Sequence, residues 1–190
     1  MKKLIAFLIL AVGLAGYIYF FDNSKLDSNQ QTEEQNQLLY DTFQEKHVHH
    51  IIIKNGKETI EMTRPWLGEW TLNNLNYPAD REVINAMLDV VLGLTKDQLI
   101  SNNPENWDKF EVTPEKGIEV ILKEREDREI AHFWVGKTGP SYGTQYFRKN
   151  NLDEVYLVNA DLKAQFTRPL DAWRDHTILE LDTNKFVPNS

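Results

Sequence analysis

Three imidazoles within four positions, His47, His49 and His50, form the densest set of side chains in the chain that could hold a metal ion. On an extended strand successive side chains alternate faces, so His47 and His49 project one way and His50 the other. Two same-face imidazoles make half of a tetrahedral site, and no carboxylate spacing nearby completes it. The trio therefore reads as an exposed edge strand, His132 and His176 stand alone, and neither a metal nor another cofactor is expected. Gly136-Lys137-Thr138 carries the ending of a phosphate-cradling loop. That loop needs a glycine five residues before Gly136 and a helix after it. Ala131 stands at the first place and Gly139-Pro140 follows at the second, so the tripeptide reads as a turn between strands. Ser101 and Ser141 are the candidate serine nucleophiles, and neither sits in the G-x-S-x-G elbow that would activate it. The acids lie mostly in runs with Lys and Arg, and spacing alone picks out no pair for glycoside chemistry. No catalytic residue is assigned.

Aromatic side chains offer a second kind of site. Trp66, Trp70, Trp107, Trp134 and Trp173, with Tyr142 and Tyr146, could line a glycan or peptide groove. Large aromatics also supply most of the burial in a domain of this size, so most of them read as core. Arg174-Asp175, directly after Trp173, reads as a docking feature in which the guanidinium caps helix carbonyls or pairs with a carboxylate.

The elements that must position these residues come from composition and period. With 190 residues the chain has room for one domain of about 100–150 residues and an anchor. A content of 41% hydrophobic and 11% aromatic residues is enough for a packed interior. Lys2 and Lys3 are the only charges in residues 1–21, so the rest sets 19 Lys and Arg against 29 Asp and Glu, a balance of −10. An acidic body repels polyanions, so nucleic acid and bare anionic lipid headgroups are poor partners for it and no nucleic acid is expected. Without cysteine there are no disulfides, thiolate nucleophiles or cysteine zinc sites.

Residues 4–21, LIAFLILAVGLAGYIYFF, are uncharged. As a helix they span roughly 27 Å at about 1.5 Å per residue, close to the ~30 Å hydrocarbon core of a bilayer. Lys2 and Lys3 before the run and Asp22 after it place the N-terminus in the cytoplasm and the rest outside, periplasmic or extracellular. The run ends in bulky aromatics instead of an A-x-A-like site, which favours a retained signal-anchor over a cleaved signal peptide. Residues 22–46 begin with a polar stretch, DNSKLDSNQQTEEQNQ, and read as a tether, with a short helix or lead-in over 38–45. The domain is then expected over 47–190.

From His47 onward the pattern is β-rich. HVHHIIIK and ETIEMT flank the turn pair Asn55-Gly56, and WLGEWTLN follows. Asp80 opens the clearest helix, with Val83, Ile84, Met87, Leu88, Val91 and Leu92 at helical spacing and Gly93 at its end. Asn103-Pro104-Glu105 starts a shorter one that carries Trp107 and Phe110. GIEVILKE, EIAHFWVG, TQYFRK and EVYLV read as strands, 161–166 and 172–179 as helices, and 182–187 as a strand stub. That order predicts an α+β fold: an antiparallel sheet with helices packed on one side, preceded by one transmembrane helix.

Taken in order, W-L-G-E-W-T-L, P-A-D-R-E-V-I-N-A-M-L, S-N-N-P-E-N-W-D-K-F, E-V-Y-L-V and W-R-D-H-T-I-L resemble the domain of unknown function 4340 family over roughly His47 to the C-terminus. The resemblance singles out Trp70, Asp80, Trp107, Tyr146, Arg148, Trp173, Arg174 and Asp175 as interaction or structural residues. It implies a membrane-tethered extracytoplasmic module without an established reaction, often found beside ABC-type transporters of the gliding or export kind. A non-enzymatic accessory subunit held in the bilayer by residues 4–21, with an ABC permease as partner, is the first expectation. An envelope glycan-binding or hydrolytic domain is the alternative.

Overall fold

The computed structural model describes residues 38–40, 43–56, 58–65, 68–73 and 77–177. The anchor expected at 4–21, the polar stretch 22–37, Trp66 and the strand stub at 182–187 lie outside the described residues. Among the described residues no helix is long and apolar enough to cross a membrane.

The fold is α+β. Among the described residues nine strands form one sheet in the order β4-β3-β2-β1-β6-β7-β8-β9-β5, and every neighbouring pair is antiparallel. They are β1 (His50–Asn55), β2 (Glu58–Thr63), β3 (Thr71–Leu72), β4 (Tyr77–Pro78), β5 (Gln98–Ser101), β6 (Ile118–Lys123), β7 (Glu129–Thr138), β8 (Gln145–Lys149) and β9 (Val155–Val158). Asn55-Gly56 makes the β1–β2 turn, with Gly56 at a φ of 61°, a conformation glycine adopts without a Cβ penalty. β4 and β5 are opposite edges of the sheet, so the chain between them must cross one face. It does so through helix α1 (Arg81–Leu92), which buries Ile84, Met87, Leu88 and Val91. The Asp80 carboxylate caps this helix by accepting from the Glu82 and Val83 amides.

Strand alternation sorts the core into two layers. Ile51, Ile53, Val120, Leu122, Phe133, Val135 and Phe147 face α1, joined there by Trp70, Trp173 and by Leu162 and Phe166 of helix α3 (Leu162–Phe166). Trp134 and Val155 point the other way and are covered by Phe110 and Val112, with Trp107 and Tyr146 packed beside them. Helix α2 (Trp107–Phe110) thus lies on the opposite face from α1 and α3. The expectation of helices on one side holds for α1 and α3 and fails for α2, because β7 and β8 carry large apolar side chains on both faces and each set must be buried.

Three further corrections concern boundaries. Leu39, Tyr40 and Phe43 are buried in the main core, and the Leu39 amide donates to the Leu94 carbonyl at 2.7 Å. Part of the stretch read as tether therefore belongs to the folded unit. His47 closes a 3-10 turn, Glu45–His47, and the first strand starts only at His50, so His47 and His49 share no strand face. Over the described part, 172–177, the helix expected at 172–179 is replaced by the end of a 3-10 turn, Leu170–Trp173, after which Arg174 is extended and bridges Ala79. Docking Trp173 into the core and pairing the next residue with Ala79 satisfies backbone that a helix would otherwise have occupied.

Candidate functional site

The residues singled out by sequence gather into two groups on opposite faces of the sheet, and Trp70, Asp80, Trp173, Arg174 and Asp175 make the first. The Ala79 amide donates to the Trp70 carbonyl and the Asp80 amide to the Trp173 carbonyl, both at 2.8 Å, while the Asp175 amide donates to Pro78 at 3.0 Å. Arg174 pairs with Asp171 at 3.2 Å and lays its guanidinium 4.8 Å from the Tyr77 ring centroid. Asp175 accepts from the Thr177 amide at 2.8 Å, and its hydrogen bonds from Thr177 hold its carboxyl below the usual range. These segments, remote in sequence, clasp each other through the backbone, and the polar side chains secure the clasp.

Trp107, Tyr146 and Arg148 form the second group. Arg148 sits directly opposite Trp134 in the β7–β8 register and is 3% exposed. Its Nε donates to the Val112 carbonyl at 3.1 Å, and its Nη1 to the carbonyls of Lys149 at 3.3 Å and Leu152 at 3.5 Å. The guanidinium lies 3.9 Å from the Trp107 ring centroid and 5.7 Å from that of Trp134. Burial pulls its pKa down and the Asp153 charge works against that. The Trp107 indole in turn donates to the Asp153 carbonyl at 3.0 Å. A planar five-donor cation suits this place because it can stack on an aromatic face while bonding several carbonyls in its own plane.

Gly136 belongs to the same layer. A Cβ at this position would stand 2.2 Å from the Phe110 carbonyl oxygen and 2.8 Å from a Val112 methyl. Gly136-Lys137-Thr138 forms the end of β7, not a turn, and its glycine allows the 110–112 segment to cross at close range.

The histidines are dispersed. His49 donates through Nδ1 to the Arg64 carbonyl at 3.1 Å, and His50 Nδ1 stands 3.5 Å from Asp127. His132 reaches Glu119 at 2.8 Å and Glu129 at 3.3 Å, while Lys54 holds the other Glu119 oxygen at 2.8 Å. Burial alone would raise the Glu119 pKa, but hydrogen bonds from Lys54 and His132 outweigh it and hold the carboxyl below its ordinary value. Among the described residues no three His, Cys, Asp or Glu side chains gather as a metal set.

Among the described residues, two of the depressions with charged walls bring together side chains that sequence reading did not assemble. One, of 280 Å³, is lined by Tyr40, Glu129, His132 and Lys149 among others; Lys149 donates to the Leu39 carbonyl and lies 4.5 Å from the Tyr40 ring centroid. The other, of 320 Å³, is lined by Lys46, His49, Arg64, Gly68, Glu69, Arg81 and Arg125. Its cations come from four separate stretches of chain, and no local motif announces them.

Fold and site together define an α+β domain whose ordered motifs hydrogen-bond and pack against one another on a two-faced antiparallel sheet. The family model described as "Domain of unknown function (DUF4340)" matches residues 70–187, more than half of the chain, and the chain belongs to that family. The match begins at Trp70, later than the His47 expected, so β1 and β2 precede it. No curated protein and no solved structure matches the chain.

Proposed function

We propose that the chain is a membrane-anchored accessory module, held by residues 4–21 with its N-terminus in the cytoplasm and its domain outside, that engages another protein instead of catalysing a reaction. The observation that carries this reading is the uncharged eighteen-residue run behind Lys2 and Lys3, followed by a polar stretch and an acidic body. Support comes from the motif residues. Arg148 is engaged by backbone carbonyls and indole rings, Asp80 by a helix N-terminus, and Trp173 by the core. On this reading the partner is a membrane protein, with an ABC permease as the specific proposal.

The test is affinity purification of the full-length chain from native membranes in mild detergent, with protease accessibility measured on intact cells or spheroplasts. Expected are digestion of the domain from the outer side and recovery of a permease with it. A freely soluble cytosolic product, obtained without detergent or processing, would overturn the topology. Correct topology with no membrane partner above background would overturn the accessory role.

A further inference from the structure

We infer that the depression bounded by Lys46, Arg64, Arg81 and Arg125 is an anion site that binds a phosphate group carried on a small organic body. The formal charge of the whole chain is −8, yet four permanent cations from distant stretches converge here on one cavity, and among the described residues Glu69 is the one carboxylate in its wall. Like charges gathered this way repel one another, and a bound anion relieves that repulsion.

The second observation concerns Lys46, Arg64 and Arg81 and the neighbours around them. Elsewhere surface charges pair locally: Lys54 with Glu119, Lys116 with Asp108, Arg128 with Glu124. Among the described residues Lys46, Arg64 and Arg81 make no ion pair within 4.0 Å. The acids at the tip between β6 and β7, Glu124, Glu126 and Asp127, line the neighbouring depression, whose wall Arg64 and Arg125 also share. There Glu124 pairs with Arg128, and Asp127 stands 3.6 Å from Lys123 and 3.5 Å from His50.

Arg64 is also held in position before any ligand arrives. Its Nη2 donates to the Val48 carbonyl at 2.8 Å, and its guanidinium rests 4.8 Å from the Trp70 ring centroid. A guanidinium fixed in this way loses little entropy on binding an oxyanion, for which its donor fork is suited. Burial lowers the Arg64 pKa; among the charges that act on it Glu45 raises it, Arg81 lowers it and Glu69 raises it. The first amides of α1 are already taken by Asp80, so the site is made of side chains and not of the helix end.

Size sets the class of ligand. A cavity of 320 Å³ exceeds a lone phosphate and falls near the lower bound, about 300 Å³, of small-molecule pockets. A sugar phosphate or a phospholipid headgroup has that chemistry and bulk. Lys46, His49 and Arg64 precede the segment that matches the family, while Arg81 and Arg125 lie within it. The site is thus assembled across that boundary, and it does not depend on the proposed partner.

The test is calorimetric titration of the full-length chain in maltoside micelles with glycerol 3-phosphate, and with glycerol as the neutral control. Expected are saturable binding of the phosphate only, weakening at ~1 M salt where screening shortens to about 3 Å, and a loss of about tenfold in Arg81→Gln. Lys46→Gln, on a separate exposed turn, should weaken binding by a smaller factor and guards against misfolding of the first variant. Repeating the titration in phosphatidylglycerol nanodiscs separates the sources: competition by the bilayer assigns the headgroup, and unchanged affinity assigns a soluble ligand. Absence of saturable binding, equal binding of glycerol, or unchanged affinity in both variants would overturn the site. Loss of a co-purifying protein in Arg81→Gln, without any phosphate binding, would overturn it in favour of a protein contact.

Discussion

Replacing Arg148 tests whether the most deeply buried of the sequence-selected polar residues serves the fold. In Arg148→Ala the Val112 carbonyl, now 3.1 Å from Nε, loses its donor, and the weaker bonds to Lys149 and Leu152 go with it. A hydrogen bond made by a charged group contributes about 1.5–3 kcal/mol. The stack on Trp107 at 3.9 Å, taken out of water, adds about 1–2 kcal/mol. Against these stands the desolvation of the guanidinium, which the alanine variant no longer bears. The net expectation is a loss of about 3 kcal/mol, a large part of a domain stability of roughly 5–15 kcal/mol. Arg148→Met keeps the bulk against the two indoles and should lose about 2 kcal/mol. Arg148→Lys keeps the charge but cannot stack flat while reaching carbonyls in one plane, and should fall near the methionine variant. Urea denaturation followed by circular dichroism reads all three from midpoint shifts at constant slope. If all three stay within about 0.5 kcal/mol of the parent chain, the range of an ordinary surface change, the guanidinium does not hold the two layers together and the structural assignment of the motif fails.

Gly136→Ala should destabilise by about 3 kcal/mol, the upper end of overpacking, because the obstructing atom at 2.2 Å is backbone; a thermal melt unchanged within a degree or two would contradict the close crossing of β7 by residues 110–112. Removing residues 1–37 should leave the melt of the domain intact, whereas removing 1–46 strips Leu39, Tyr40 and Phe43 from the core at about 1.5–3 kcal/mol each. Equal cooperative unfolding of the two truncations would refute the boundary drawn here. Glu119 has a folded pKa below its ordinary value of 4.5, so the unfolded chain binds the proton more readily and stability rises with pH through that window. Its contribution is present above about pH 4.5 and is lost on acidification through the folded value; Glu119→Gln should flatten that part of a stability-against-pH curve, and an unchanged curve would dismiss the Lys54–Glu119–His132 network as a contributor.

Much of the fold was legible because local chemistry states it. The Asp80 cap, the Ile84-Met87-Leu88-Val91 stripe, the Asn55-Gly56 turn and the alternation of Ile118, Val120 and Leu122 need only their own neighbours to be recognised. The β5 edge strand was not legible, because its four residues are half-buried or exposed and carry no clean alternation. Of the candidate site, the identities of Trp107, Tyr146, Arg148, Trp173 and Arg174 were legible and their grouping was not.

The sequence by itself determined which residues turn inward, because burial repeats with the period of the element that carries it. Only the tertiary structure decided what they turn toward. Val112 and Arg148 are 36 positions apart and Leu39 and Lys149 are 110 apart, and no pattern within one segment encodes such partners. The same holds for Lys46, Arg64, Arg81 and Arg125: each reads as an ordinary solvated charge until sheet register and the path of α1 bring the four to one cavity.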